Sequence, residues 1–211
     1  TGSAILYIPS LETIKNNVMG TAYLLEETKN YKIKRFFLAS SVFVFEKSGH
    51  LYTSSKRFSE TICKNYQSLY NTPYTILRFG TAYGPRSRSA DVISIFIDNA
   101  FKGMDLSIKG NGRQRRNFTY VKDIAKGAVL SLESKITVNK TLTIASSKST
   151  TIIKLAELIK KLFNNQPNII YEDFKGREDD YVGSIPNINE TFSALCWKPE
   201  YGILSGLKDY I

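Results

Sequence analysis

The sequence predicts an α/β protein built around a parallel sheet, because segments of helical and strand character alternate along its first half. The segment 11–29 carries an apolar stripe at helical spacing, and Ser10 can cap its start. That stripe consists of Ile14, Val18, Leu24 and Leu25. The run 34–39 is apolar on both faces, which is typical of a strand in the middle of a parallel sheet. A second helix over 53–70 and a second strand over 74–78 repeat the alternation.

The pattern changes after Gly84-Pro85-Arg86. An Asn-Gly pair at 111–112 predicts a hairpin of two strands within 106–120. Ser149 or Thr150 is expected to cap a helix that runs to Phe163. The remaining predicted elements are helices at 92–101, 121–132 (with Asp123 near its start) and 204–211, and strands at 141–145 and 169–171.

Composition bounds the class of protein. The chain has 211 residues, 42% of them hydrophobic, which is enough for a sizeable core. The net charge of +10 indicates either attraction for an anion or a lysine-rich solvated surface. Basic residues are dispersed, apart from Arg113, Arg115 and Arg116, which argues against a nucleic-acid partner.

Cysteine use and hydropathy point to a reducing compartment. Cys63 and Cys196 form no C-x-x-C pair and the chain has one histidine, so we expect neither a structural zinc site nor a disulfide framework, and no metal. The longest apolar stretch, 36–45, is too short and too polar to span a membrane. Without a signal peptide in the first residues, we expect a cytoplasmic protein with no membrane partner.

Tyr52 and Lys56 are the first candidates for chemistry. Four residues apart on a helix, they share one face. A neighbouring ammonium favours the phenolate, so the pKa of Tyr52 is expected to fall toward working pH. Alone, Y-x-x-x-K is no better than a surface i, i+4 pair, because about one chance match is expected in a chain this rich in tyrosine and lysine.

The preceding strand supplies the context for that motif. Ser41 stands at its carboxyl end, where side chains of a parallel sheet reach the ligand crevice. There it could hydrogen-bond a hydroxyl whose proton Tyr52 removes. The alternative is a serine that only satisfies backbone groups at a strand end.

Several segments together resemble the extended short-chain dehydrogenases, in their order and approximate spacing. They are N-V-M-G-T at 17–21, F-L-A-S-S-V-F-V-F at 37–45, Y-T-S-S-K at 52–56, L-R-F-G-T-A-Y-G-P-R at 77–86, G-N-G-R-Q-R-R-N-F-T-Y-V at 110–121 and G-R-E-D-D at 176–180. The resemblance covers nearly the whole chain and implies an NAD-dependent sugar-nucleotide epimerase or dehydratase. It also implies a doubly wound, Rossmann-like sheet, partial here, in 1–85. A smaller α+β substrate-binding domain would occupy 86–211, with 141–145 returning to the sheet.

The same resemblance implies roles at matching positions. Tyr52 would be the general acid or base, and Lys56 would hold the nicotinamide ribose and tune Tyr52. Ser41 would bind the reacting hydroxyl or ketone, and Asn17 would lie beneath the site and order that network. The further cofactor-binding positions would be Ala39, Ser40 and Gly80.

On the substrate side, Arg116 and Arg177 would grip a diphosphate, a task suited to the guanidinium fork. For both arginines, the alternative is a solvated surface charge. Thr81 stands where the family has an asparagine that binds the sugar nucleotide. Its hydroxyl has one donor where the amide has two, which puts the usual substrate pose in doubt.

The implied reaction begins with hydride removal from a sugar carbon to NAD while Tyr52 accepts the hydroxyl proton. The family's dehydratases carry Asp-Glu after the active-site serine or threonine, and its decarboxylases carry the glutamate. Here Val42-Phe43 stands there and transfers no proton. This favours a 4-epimerase, with a 4-ketosugar reductase or dehydratase of the same family as one alternative. A degenerate nucleotide-sugar-binding or interaction protein is the other.

The resemblance also shows what the sequence lacks. No G-x-x-G-x-x-G pattern is present, and only 11 positions separate Ser41 from Tyr52. Thr1-Gly2-Ser3-Ala4 resembles the start of that pattern joined to later sequence, which raises the hypothesis that segments are missing. An intact mass well above 23.9 kDa would support this hypothesis, and a mass of 23.9 kDa would end it. If the chain is all there is, we expect weak NAD binding and no turnover. NADP stays open beside NAD, and the helices at 11–29 and 53–70 are expected to form a homodimer by analogy.

Overall fold

The structure is a computed structural model, which describes residues 10–46, 50–87, 91–173, 183–186 and 188–211. The helices are α1 (Ser10–Thr13), α2 (Gly20–Glu27), α3 (Leu51–Tyr70), α4 (Val92–Phe101), α5 (Val121–Glu133), α6 (Ile152–Leu162), α7 (Ile188–Leu195) and α8 (Ile203–Tyr210). The strands are β1 (Phe36–Ser41), β2 (Tyr74–Phe79), β3 (Thr81–Tyr83), β4 (Leu106–Lys109), β5 (Arg115–Arg116), β6 (Phe118–Tyr120), β7 (Lys140–Ile144), β8 (Thr150–Thr151) and β9 (Ile169–Glu172).

A three-stranded parallel sheet in the order β1-β2-β7 forms the centre of the molecule. The register places Ser40 beside Arg78 and Ser41 beside Phe79. Among the described strands, β1 pairs with β2 alone, so its other side is a sheet edge. The predicted α/β class with parallel strands is confirmed.

Both faces of this sheet are covered, as the fold class requires. Under α2 and α3 lies an apolar cluster built on Leu25, Leu38, Cys63 and Ile76. A second cluster, which joins Leu77 and Ile144 to residues of α7, fills the opposite face. The predicted helix at 53–70 and the predicted strand at 74–78 are present within two residues of their expected ends. The strand predicted at 34–39 is shifted by two residues, to Phe36–Ser41.

A third cluster forms the core of the C-terminal part. It joins α4, α6 and α8 to the β4–β9 pair, with Phe96, Leu106 and Leu155 at its centre. The parallel pair β3–β6 leads from the central sheet into this part. The division of the chain at residue 85 stays a prediction.

The expected hairpin within 106–120 is wrong. Gly110 and Gly112 do make a turn, with φ of 75° and 70°. The strands on either side of this turn have other partners, because β4 pairs in parallel with β9 and β5 pairs antiparallel with β8. Asn-Gly fixed the local turn, while packing of distant strands decided the pairing.

Three further local expectations differ from the structure. The first helix is interrupted by a π-helical turn at Ile14–Met19, which changes the phase of the stripe and leaves Ile14 and Leu24 exposed. Thr151 caps α6, in place of Ser149 or Thr150. Asp123 lies in the first turn of α5, but its carboxylate accepts the backbone N–H groups of Glu200 and Tyr201.

Of the helices in the described part of the chain, none combines the length and apolar composition that a membrane crossing needs.

Candidate active site

The carboxyl end of β1 provides the first group of the site. Ser41 ends this strand and caps the following 3-10 helix, Val42–Phe45. Its Oγ accepts the backbone N–H of Phe43 at 3.3 Å, and its side chain is buried. Because a hydroxyl accepts and donates at once, this bond leaves the Ser41 proton for another acceptor.

Tyr52 and Lys56 lie in the first turns of α3, and the structure brings them to the same strand end. Lys56 Nζ is 5.8 Å from the centre of the Tyr52 ring and donates to the carbonyl of Ala39 at 3.0 Å. Ala39 is two residues before Ser41. Burial lowers the pKa of Lys56 below its usual 10.5, because desolvation disfavours the charged ammonium.

Asn17 supports this arrangement from below. It lies in the π-helical turn, and its Nδ2 donates to Ser55 Oγ at 3.0 Å, while Ser55 donates to the carbonyl of Tyr52 at 2.8 Å. The carbonyl of Asn17 accepts from Ser59 at 2.7 Å. Single π turns occur often at functional sites, and this one docks Asn17 on the helix that carries Tyr52 and Lys56.

The short connection from Ser41 to Tyr52 is tied to α3 by side chains. Arg57 Nε donates to the carbonyl of Val44 at 2.9 Å, and its Nη2 donates to the carbonyl of Glu46. The buried carboxylate of Glu46 accepts from Thr53 and His50 at 3.3 Å each. These bonds hold the start of α3 against the 3-10 helix.

Ser40 is bonded to the helix that carries Tyr52 and Lys56. Its Oγ donates to Glu60 Oε1 at 2.6 Å, and both side chains are buried. Arg78 closes the same network, donating from Nε and Nη2 to the two oxygens of Glu60 at 2.8 and 2.5 Å. The side chain of Ser40 is therefore committed to joining β1, β2 and α3.

Gly80 and Thr81 follow β2 at the same edge. A Cβ on Gly80 would lie 2.5 Å from Thr119 Oγ1 and 2.9 Å from the carbonyl of Asn117, so packing within the chain accounts for this glycine. Thr81 pairs with Phe118 in the β3–β6 register. Its Oγ1 is buried, and it has no hydrogen-bond partner among the described residues.

Arg116 lies on β5 and approaches the site through an aromatic ring. Its guanidinium carbon is 5.4 Å from the centre of the Phe43 ring, and its Nη1 donates to the carbonyl of Arg115 at 2.7 Å. Arg116 is half-buried. Arg177, the other predicted diphosphate ligand, lies outside the described residues.

Two contributors escaped the sequence reasoning. Glu60 is four residues after Lys56, so a third polar position on the Tyr52–Lys56 face could have flagged it. Phe43 gave no such signal, because it meets Arg116 across 73 positions of sequence.

The fold and the site together define a class. A parallel sheet with a strand-end serine, a Tyr-x-x-x-Lys helix and a supporting asparagine is the arrangement of the extended short-chain dehydrogenases, which the motifs resemble. The chain belongs to the NAD dependent epimerase/dehydratase family, whose model matches residues 8–145. The resemblance inferred from the motifs is confirmed.

Individual relatives agree with this assignment. A protein of Methanocaldococcus jannaschii assigned as a UDP-glucose 4-epimerase is 34% identical over 209 residues, covering 91% of this chain and 67% of that protein. The UDP-N-acetyl-alpha-D-glucosaminuronate decarboxylase of Bacillus cytotoxicus is 31% identical over 226 residues, covering 96% of this chain and 70% of the relative.

Among solved structures, the UDP-glucuronic acid 4-epimerase of Bacillus cereus, in complex with UDP-glucuronic acid and NAD, has a TM-score of 0.85 and 27% identity. The match covers 93% of this chain and 66% of that one. The chain thus spans about two thirds of the length of the relatives it matches.

Proposed function

We propose that this chain is the catalytic part of an NAD-dependent sugar-nucleotide epimerase that acts at C4 of the sugar. One observation carries the proposal: Lys56 bridges the Tyr52 ring and the carbonyl of Ala39, at the strand end that carries Ser41. A phenol, an ammonium and an alcohol at one strand end suit the oxidation of a secondary alcohol by proton removal.

Each group has a defined task in this proposal. Ser41 donates its hydroxyl proton, in a hydrogen bond, to the oxygen that becomes the ketone. Tyr52 takes the hydroxyl proton as the alcohol is oxidised and returns it when the ketone is reduced on the other face. Asn17, through Ser55, fixes the backbone of the turn that carries Tyr52.

The residues present fit the nicotinamide half of NAD. An ammonium has three N–H donors and Ala39 accepts one, so Lys56 retains donors for ribose hydroxyls. NAD, when bound, supplies the acceptor for the hydride that leaves the sugar carbon. NADP stays an alternative to NAD.

The substrate side fits a nucleotide diphosphate sugar. The orphaned hydroxyl of Thr81 requires a partner that a ligand would supply, since a buried polar group without one is costly. Arg116, with its planar fork, suits a diphosphate oxygen pair. Phe43 stands where decarboxylating and dehydrating members carry a glutamate, and a phenyl ring transfers no proton, which favours epimerisation.

A homodimer is part of the proposal. The first three helices expose large apolar side chains to a degree unusual for a monomer. They are Leu11, Tyr23, Leu24, Phe58 and Leu69, each more than half exposed. Sedimentation equilibrium showing a monomer at micromolar concentration would contradict this. A cytoplasmic location remains a prediction.

The test is turnover of a panel of UDP-, GDP-, CDP- and dTDP-sugars with NAD. An epimerase interconverts two sugars without net NADH, a reductase consumes NADH, and a dehydratase releases a 4-keto-6-deoxy sugar. Tyr52→Phe should lower kcat by about two to four orders of magnitude, the usual contribution of a general acid–base group. Tyr70→Phe, on the same helix and half exposed, is the matched control and should leave kcat unchanged.

Two outcomes would contradict the proposal. Activity that survives Tyr52→Phe would remove Tyr52 from the chemistry. Binding of a sugar nucleotide without turnover of any sugar would support the degenerate binding protein.

A further inference from the structure

Phe43 contacts both ends of the proposed substrate site. Its backbone N–H donates to Ser41 Oγ at 3.3 Å, and its ring lies 5.4 Å from the guanidinium carbon of Arg116. Ser41 belongs to the sugar end of the site and Arg116 to the diphosphate end. One residue therefore connects the group that meets the reacting hydroxyl with the group that meets the phosphates.

We propose that Phe43 is a positioning residue, whose ring holds the guanidinium of Arg116 for the substrate diphosphate. The inference deepens the proposed function and rests on it. Phe43 does not touch the reacting atoms in this account; it acts through Arg116.

The ring is suited to this task because it is fixed. Phe43 is 8% exposed and packs in the cluster that includes Val42, Leu142 and Ile144, under the central sheet. An arginine that stacks on a fixed ring gives up less rotamer freedom when it binds a ligand, since part of that freedom is already lost.

The contacts of Arg116 also bear on how its guanidinium would meet the ligand. A guanidinium lying over an aromatic face is attracted through its face, while its N–H donors point outward in the plane. Nη1 already uses one donor on the carbonyl of Arg115, which fixes the rotation of the fork. In this inference, a guanidinium held by the ring and by that carbonyl offers the planar fork that suits a diphosphate.

The same 3-10 helix supplies a matched control. Phe45 lies 4.8 Å from the guanidinium carbon of Arg78, and Arg78 is held by Glu60 in the interior. Phe43→Leu and Phe45→Leu therefore remove the same ring from the same helix, each beneath an arginine. Only one of the two arginines is assigned to the substrate.

The experiment is isothermal titration of UDP into the full chain and its variants, with unfolding curves to confirm folding. Phe43→Leu should weaken UDP binding about three- to tenfold, the range expected for a partly desolvated cation–π contact. Phe45→Leu should leave the UDP affinity unchanged. In an Arg116→Ala background, Phe43→Leu should have no further effect, because the group it positions is gone.

In turnover, Phe43→Leu should raise KM for the sugar nucleotide and leave kcat within about twofold, whereas general loosening of the fold would lower both. If Phe43→Leu does not fold, Phe43→Met removes the ring while its flexible chain adapts to the gap, and it should show the same loss of affinity.

Other outcomes overturn the inference. It fails if Phe43→Leu leaves the affinity for UDP unchanged, if Phe45→Leu weakens binding equally, or if the Phe43 effect persists without Arg116. Wild-type protein that binds no UDP would overturn the proposed function together with this inference, so the two failures are told apart by the wild-type titration.

Discussion

The 3-10 helix Val42–Phe45 sets a phenylalanine beneath an arginine at two places, and the two arginines differ in their surroundings. Arg78, above Phe45, gives Nε and Nη2 to the buried carboxylate of Glu60. Arg116, above Phe43, is half-buried on a two-residue strand and donates to a backbone carbonyl. The same kind of pair is thus tied to a buried carboxylate at one place and belongs to the proposed site at the other.

Two threonines show the same contrast. Thr75, on β2, is fully buried and donates its hydroxyl to the carbonyl of Thr137 at 2.7 Å. Thr81, on β3, has a buried hydroxyl with no partner among the described residues. The hydroxyl of Thr75 is thus satisfied within the chain, whereas the hydroxyl of Thr81 could accept a partner from a ligand.

The largest expected effect tests the interior network. Glu60→Ala removes the buried carboxylate that pairs with the partly buried Arg78, and it also removes the acceptor of Ser40. Breaking a buried ion pair by removing one partner costs about 3–5 kcal/mol. We expect a loss of that size in the free energy of unfolding, measured by urea denaturation.

A surface pair provides the control for that prediction. Glu157→Ala removes the partner of Lys154, and both side chains of this pair are about half exposed. Exposed pairs contribute about 0–1 kcal/mol, so the urea midpoint should hardly move. Equal losses for Glu60→Ala and Glu157→Ala would show that the Ser40–Glu60–Arg78 network does not hold β1, β2 and α3 together.

The threonine pair gives a smaller effect, with opposite signs at the two positions. Thr75→Val should lower the free energy of unfolding by about 1–2 kcal/mol, because it deletes a made hydrogen bond. Thr81→Val should leave it unchanged or raise it by up to about 1 kcal/mol, because it deletes a buried hydroxyl that has no partner among the described residues. A loss at Thr81 as large as that at Thr75 would mean that its hydroxyl is satisfied within the protein.

Features of the fold that depend on local sequence pattern could be predicted from the sequence. Alternating apolar segments predicted the parallel sheet, and Y-x-x-x-K with the strand-end serine predicted that Tyr52, Lys56 and Ser41 belong to one site. In the structure, Lys56 lies near the Tyr52 ring and donates to the carbonyl of Ala39 in β1, and the roles of the three residues stay predictions. Such motifs are informative because helix and strand geometry fix the relative directions of their side chains.

Contacts between segments that are distant in the chain could not be predicted from the sequence. The hairpin at 106–120 was expected from Asn-Gly, yet β4 is bound to β9, some 60 positions later. The bond from Ser40 to Glu60 on α3 had no local signature, and the predicted contact of Ser40 with the cofactor stays a prediction. The Phe43–Arg116 stack had no local signature either, because packing of separate elements creates it.

The smallest expected effect is a difference in pKa between two lysines, Lys56 and Lys122. Burial lowers the pKa of Lys56 from its usual 10.5, whereas the hydrogen bond from Lys122 to Asp209 raises the pKa of Lys122. As the pH rises, Lys56 should therefore lose its proton before ordinary lysines and Lys122 after them. The Cε shifts of ¹³C-labelled lysine measure both, and the resonance missing from Lys56→Arg identifies Lys56.

The lowered pKa of Lys56 also makes the stability of the fold depend on pH. Between the lowered pKa and the ordinary one, the unfolded chain keeps a proton that the folded chain has released, so this group makes the fold more stable as the pH rises through that window. Loss of ribose binding should accompany the same deprotonation, since the ammonium is the donor. If Lys56 titrates together with Lys122 or above it, Lys56 is solvated like a surface lysine. Burial would then not distinguish the Lys56 ammonium from the exposed lysines of the chain.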